Sequence, residues 1–353
     1  MKLFGIGLFA TRMVTLLSTY GVAVGAPAAG YHLIKTVHSQ AAPGGKEYFD
    51  YITFDAPSRR VYAAHGAEVI VFDADNYTVV GKISGLHRCH GVVLVPDLGK
   101  GFITDGDADT GKVVMFDIAK LKVIGEIKGE PDADGIVYDP ASKRVFAFNG
   151  DSENSTVIDA AKGTVLATLP LGGKPEQAVA DNKGMIYDNL EDKNEVIAID
   201  ARELKIKGRW PVAPLEEPVA MAMDRQHRRL FIGGRGNKML VVMNADTGKI
   251  IGQPFPIGDV VDANIYDPGT GFVASSTREG TINIVHEDSP DTFSPVENVK
   301  TQYGAKTMAV DPKTHNIWVD TADFGAPPAP TAKRPNPPPA AIPGTYRMLV
   351  YAH

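Results

Sequence analysis

Apolar and polar positions along this chain follow one phrase that recurs seven times. An apolar run ends in a turn residue, as in Gly135-Ile136-Val137-Tyr138-Asp139-Pro140. A second run follows a basic turn, as in Arg144-Val145-Phe146-Ala147-Phe148. A third closes on an acidic residue, as in Val69-Ile70-Val71-Phe72-Asp73. A short turn (Asp-Ala, Asn-Ala or Ile-Ala, then a polar residue and often Gly) leads to a fourth, such as Val123-Ile124-Gly125-Glu126-Ile127. Short β-branched and aromatic runs bounded by Gly, Pro, Asp and Asn predict strands. Beyond residue 28, no stretch of 11 residues carries a helical period.

The end of the first strand supplies a register mark: Asp55, Val95, Asp139, Asp181, Asp224, Asp267 and Asp311, at spacings of 40 to 44 residues. That period belongs to a propeller blade, a unit that buries its faces only against its neighbours. The expectation is an all-β chain forming a seven-bladed β-propeller. At 353 residues, length alone suggests two domains, but the unbroken repeat places all blades in one ring. The seventh copy runs through Met308-Ala309-Val310-Asp311, Asn316-Ile317-Trp318-Val319 and Tyr346 to Tyr351, and lacks a fourth strand. His32 to Val37 carries that missing pattern, so the N-terminal strand is predicted to complete the last blade and remove an open seam. A Pro-rich segment, 325–343, interrupts this blade. Its prolines forbid ladder pairing and favour an extended polyproline II path, a plain surface loop or a strap over one face.

The second strands end in a recurring motif: Phe102-Ile103-Thr104-Asp105, Phe146-Ala147-Phe148-Asn149, Ile186-Tyr187-Asp188-Asn189 and Tyr62-Ala63-Ala64-His65. Over about residues 31–353 the chain resembles the YVTN-repeat seven-bladed β-propeller family, a group of largely exported bacterial proteins. Phe231-Ile232-Gly233-Gly234, Val273-Ala274-Ser275-Ser276 and Trp318-Val319-Asp320-Thr321 depart further from the motif. The resemblance implies the fold; for function it points both to binding proteins and to lactonase-like enzymes.

Compartment is read from the N-terminus. Lys2 and Arg12 are the only charges before Lys35, an apolar stretch runs from Met13 to Ala23, and Gly25-Ala26-Pro27-Ala28 follows. This is the layout of a secretory signal over residues 1–28, cut after Gly25 or Ala28. The mature chain, 29–353, is then expected in the periplasm or medium, without membrane insertion, since the apolar run is short for a span of about 20 residues. The net charge of −6 and the absence of a basic stripe argue against nucleic-acid partners. The single Cys89 excludes an intrachain disulfide.

Five residues before each register mark stand Asp50, His90, Asp134, Glu176, Val219, Asp262 and Lys306. Residues at the second-strand ends, His65, Asp105, Asn149, Asn189, Gly234, Ser276 and Thr321, are expected on the same face, with Arg235 and Arg278 behind them. The candidate channel mouth therefore comprises Asp50, His65, His90, Asp105, Asp134, Asn149, Glu176, Asp262 and Lys306. The four carboxylates of the first set, Asp50, Asp134, Glu176 and Asp262, repel at this distance unless compensated, so the expected field is mainly negative. The expected occupant is a cation, a cationic group or a hydroxyl-rich molecule. Oxygen ligands are compatible with a divalent cation such as calcium, but no dedicated metal motif is present, and Asp105 to Asp109 reads as a turn. The cofactor is left unknown. Turn Asp and Asn also commonly bond their own backbone, which suits Asn149 and Asn189. Cys89 and His90 are neighbours on a strand and are expected to diverge; Met221 and Met223 read as one packed face. With no Gly-x-Ser-x-Gly elbow and no phosphate loop, the expected function is binding a small molecule or periplasmic protein at the channel face. The alternative is a lactonase-like hydrolase or lyase in which His90, Asp134, Glu176 and Asp50 do acid–base work. Electron transfer is the weakest reading, because nothing resembles a haem or quinone attachment.

Overall fold

The computed structural model describes Met1 and residues 30–40, 42, 44, 47–331 and 337–353, so the expected export signal lies outside the described residues apart from Met1. Among the described residues the regular elements are strands, with two three-residue 3-10 turns, Pro96–Leu98 and Glu191–Lys193. The strands form seven four-stranded sheets, six of them in simple chain order from the inside outward. Innermost strands of successive blades touch, and that of blade 7 touches that of blade 1, closing the ring.

Closure follows the predicted route. In blade 7 the strand His32–His38 pairs antiparallel with Arg347–Ala352, from His32 opposite Ala352 to His38 opposite Arg347. The last blade is thus completed by the N-terminal strand, and no seam is left with unpaired backbone groups.

Hydrophobic clusters lie between blades. Between blades 3 and 4, Phe146, Phe148 and Val157 meet Ile186, Ile197 and Ile199. Between blades 7 and 1, Trp318, Met348 and Val350 meet Val61, Ile70 and Phe72. Each fully buried large side chain contributes about 1.5–3 kcal/mol, and neither partner blade keeps that gain alone. Met221 and Met223 pack together in the cluster between blades 4 and 5, and Cys89 is buried between blades 1 and 2.

The register-mark aspartates have a local cause. Their carboxylates accept N–H groups of the following turn: Asp139 from Ser142 at 2.7 Å, Asp181 from Lys183 at 2.7 Å, Asp224 from Gln226 at 2.9 Å, and Asp311 from Lys313 at 2.9 Å. Three also meet a basic side chain from the next blade: Asp181 meets Arg228 at 3.1 Å, Asp267 meets His315 at 2.7 Å and Asp311 meets Arg59 at 2.5 Å. These ties run around the underside of the ring.

The Pro-rich segment is anchored at its base. Phe324 bridges to Ala341, Ile342 N–H donates to Asp323 O at 2.7 Å, and Gly344 N–H donates to Glu47 Oε2 at 2.8 Å. Next to this base, Pro338 to Ala341 line a pocket with Tyr48, Phe49 and Lys306, beside the channel mouth.

Candidate functional site at the channel mouth

The first strand of blades 1 to 6 is irregular where it starts. Pairing slips between Phe49 and Ile52, Cys89 and Val92, Ala133 and Ile136, Pro175 and Ala178, Pro218 and Ala220, and Val261 and Ala263. Asp50, His90, Asp134, Glu176, Val219 and Asp262 are residues inside these bulges. A bulge leaves a residue out of the ladder and re-aims its side chain, which is why one sequence position in every repeat serves the channel. Cys89, one residue earlier, turns the other way and donates its thiol to Glu68 O at 3.2 Å.

The gathered charges form a chain across blades. Lys306 Nζ reaches Asp262 Oδ2 at 2.5 Å and Asp50 Oδ1 at 3.3 Å. Asp50 Oδ2 lies 2.8 Å from His90 Nδ1 and accepts from the Tyr48 hydroxyl at 2.5 Å. His90 Nδ1 also lies 3.1 Å from Asp134 Oδ1, while its Nε2 donates to Gly106 O at 3.1 Å. On the other side Arg235 pairs with Asp262, and its second nitrogen stands 3.6 Å from Glu191 Oε1. The field is therefore alternating rather than mainly negative.

Protonation follows from these contacts. Burial opposes charge on His90, but Asp134 and Asp50 outweigh it and push its pKa up to about 10. Both ring nitrogens carry protons at neutral pH. Burial would raise Asp50; Lys306 and His90 overcome it and hold the carboxyl well below its usual range. Lys306 is stabilised as a cation by Asp262 and Asp50 despite its burial. Glu176 goes the other way: desolvation, then Asp134 and Glu191, raise it well above the ordinary value. Tyr51 is held neutral by burial and by the surrounding Asp134, Glu176, Asp50 and Asp262. It lines a channel void of about 130 Å³ with Thr53, Gly91, Gly135 and Gln177.

The second-strand residues are engaged elsewhere. Asp105 accepts the N–H groups of His87 at 2.9 Å and Arg88 at 2.6 Å, fixing a loop. Asn149 donates to Asn154 Oδ1 at 2.7 Å and Thr156 Oγ1 at 3.1 Å. His65 bonds Glu47, both side chains fully buried, and its ring lies 4.2 Å from that of Tyr346. In two blades the motif endings sit one position off. Leu190, not Asn189, pairs opposite Pro175, and Thr277, not Ser276, pairs opposite Val261. Ser276 Oγ instead donates to Lys306 O at 2.5 Å, tying blade 6 to blade 7. Asp107 accepts from the Asp109 and Thr110 N–H groups, the expected turn.

Residues unnoticed in the repeat complete the mouth: Tyr48, with Arg88 4.2 Å above its ring, Glu191 and Tyr51. Tyr48 lies in an irregular linker and Glu191 just past a strand, so neither carries a periodic signal. Beside Lys306 a pocket of about 250 Å³ opens under the Pro-rich strap. Its walls include Tyr48, Phe49, Tyr303, Phe324 and Arg278. Arg278 contributes its backbone N–H to Val260 O at 3.0 Å, and its guanidinium is left free to face an incoming ligand among the described residues.

Asp50, His90 and Asp134 each place one potential ligand atom within 4.8 Å of the others. Calcium takes six to eight oxygens, whereas this set offers two carboxylates and a nitrogen whose proton already serves both. The donor set fits a proton better than calcium.

Fold and site together define a seven-bladed β-propeller with a charge-lined channel mouth. No protein-family model matches the chain, and no curated protein matches it in sequence. In three dimensions it is similar to a chain of the crystal structure of a mitotic checkpoint complex, with TM-score 0.70, 14% identity and 99% of each chain covered. At that identity the likeness concerns the fold alone, and a fold leaves function open.

Proposed function

We propose that this chain is an exported propeller of the YVTN-repeat kind that binds a small molecule at its channel mouth. The observation that carries the reading is the strap-covered pocket, where aromatic walls meet the free Arg278 guanidinium and the Lys306 end of the charge chain. Pockets of mainly apolar lining with a few convergent polar groups are the usual form of small-ligand sites. Arg278 favours a ligand with a planar anionic group, because a guanidinium matches carboxylate geometry with two parallel donors. Binding is favoured over lactonase-like turnover by the state of His90, which is already charged and held on both nitrogens. A general base must be neutral near the working pH.

The test uses the protein secreted with its own N-terminus. A reporter carrying residues 1–28 leaves the cytoplasm and is cleaved near residues 25–28. Titration with 8-anilinonaphthalene-1-sulfonate, an aromatic anion, gives saturable fluorescence that Arg278→Ala weakens. Equal binding by both proteins, or none by either, removes the pocket from consideration.

A further inference from the structure

A second cluster lies on the opposite face, where the repeat is broken. At the end of the third strand in blades 1 to 6, just past it in the first five and within the longer strand of blade 6, one residue donates its N–H to the turn before the second strand. The donors are Ala74 to Arg59 O, Ile118 to Gly99 O, Ala160 to Lys143 O, Ala201 to Gly184 O, Ala245 to Arg228 O and Glu287 to Gly271 O. The shared bond shows that these six positions are equivalent. The four alanines are buried between blades. Blade 6 alone puts a carboxylate there.

The Glu287 carboxylate is withdrawn from solvent. The hairpin of blade 6, Thr281–Ser289 with Thr292–Lys300, is longer than its counterparts, and its tip docks on blade 5. Arg229 there donates to Pro290 O at 2.6 Å and pairs with Asp291 at 2.8 Å. The Glu287 side chain is 3% exposed, and neither carboxylate oxygen receives a hydrogen bond of ordinary geometry. The groups acting on it are the Tyr266 hydroxyl, Asp224 and His227. Its Oε1 lies 3.4 Å from His227 Nδ1, which is 2.7 Å from Asp224 Oδ2.

The turn position that supplies Arg228 to Asp181, His315 to Asp267 and Arg59 to Asp311 is Gly271 in blade 6. Asp224, like Asp55 and Asp139, meets no side chain from that turn of the next blade, because Gly271, Gly99 and Gly184 stand there. Among the described residues, at Asp224 alone of these three a second carboxylate, that of Glu287, converges. A buried carboxylate is costly unless paired or bound to a metal.

We infer that Asp224, His227 and Glu287 form a site for one divalent first-row cation, most simply zinc. Two carboxylates and a neutral imidazole balance its charge, and this mixed nitrogen and oxygen set suits zinc better than calcium. The three ligand atoms already lie within 4.8 Å of one another. His227 is 36% exposed along its side chain, which leaves an entry path and room for water ligands.

The test is zinc titration by calorimetry, with thermal melts, on the full protein and on Glu287→Ala and His227→Gln. Glu287→Ala restores the residue that four other blades carry, so it is expected to fold and to melt, without metal, at or above the parent. The parent should bind one more equivalent of zinc than either variant and gain melting temperature with zinc, as a ligand specific to the folded state requires. Zinc taken up by the channel histidine would appear equally in all three proteins and cancel. Equal stoichiometry in parent and Glu287→Ala overturns the site, leaving a carboxyl pair that shares a proton.

Discussion

Both faces of the ring carry carboxylates withdrawn from water, and they are compensated by different rules. On the underside the rule is positional: at three junctions a register-mark aspartate meets a basic side chain from one turn position of the next blade, as Asp181, Asp267 and Asp311 do. At the channel mouth it is irregular. Lys306 of blade 7 serves blades 6 and 1 at once, Arg235 of blade 5 serves blade 6, and Glu176 has no ion pair among the described residues, its pKa raised by burial and acidic neighbours. A positional tie holds the ring together and can be lost at one place without reorganising the rest. The channel chain is shared among many blades, so any change in it is felt by several partners.

The sharpest way to break this contrast is Lys306→Met, which leaves Asp50 and Asp262 buried without their shared cation. Removing one partner of a buried pair costs roughly 3–5 kcal/mol, and the melting temperature should drop accordingly; an unchanged melt would mean that Arg235 and His90 suffice. Next comes pH. The pKa of His90 is raised from 6.5 to about 10, so its contribution is complete below about 6.5 and lost as pH rises toward about 10. A single proton accounts for a slope of about 1.4 kcal/mol per pH unit across that window. Melts of parent and His90→Gln from pH 6 to 10 should converge as pH rises; parallel curves would show that His90 is not charged. Arg59→Ala tests the underside, where Asp311 keeps its turn bonds after losing its cation. The expected loss is about 1–3 kcal/mol, smaller than for Lys306→Met in the same denaturation experiment. Smallest is Glu176→Gln, because burial and its acidic neighbours already disfavour charge on Glu176. Stability at pH 7 should stay within about 0.5 kcal/mol, and a large loss would show that Glu176 is ionised and paired.

The repeat was legible in full because a blade is encoded locally. Strand runs, the aspartate that accepts its own turn and the bulged residue five positions earlier all recur at a fixed distance along the chain. The seven inner-ring positions could therefore be aligned with no knowledge of the ring. The second-strand ends were read less well. Asn189 fits the motif by type and Ser276 aligns with it by spacing, but pairing opposite the bulge places Leu190 and Thr277 there. His65, Asp105 and Asn149 were grouped with the mouth because they share a face, yet each is engaged by a neighbour in its own or the adjoining loop.

By itself the sequence determined the blade, the number of blades, the strand that closes the ring and the residues sent into the channel, since each depends on spacing within one repeat. Only tertiary structure decided which charges meet. Lys306 and Asp50 lie 256 residues apart and touch because the ring closes. Glu287 faces Asp224 because one long hairpin leans on the preceding blade. Charge compensation acts through space at a few ångströms, and a propeller brings its distant repeats that close only when the last blade is complete.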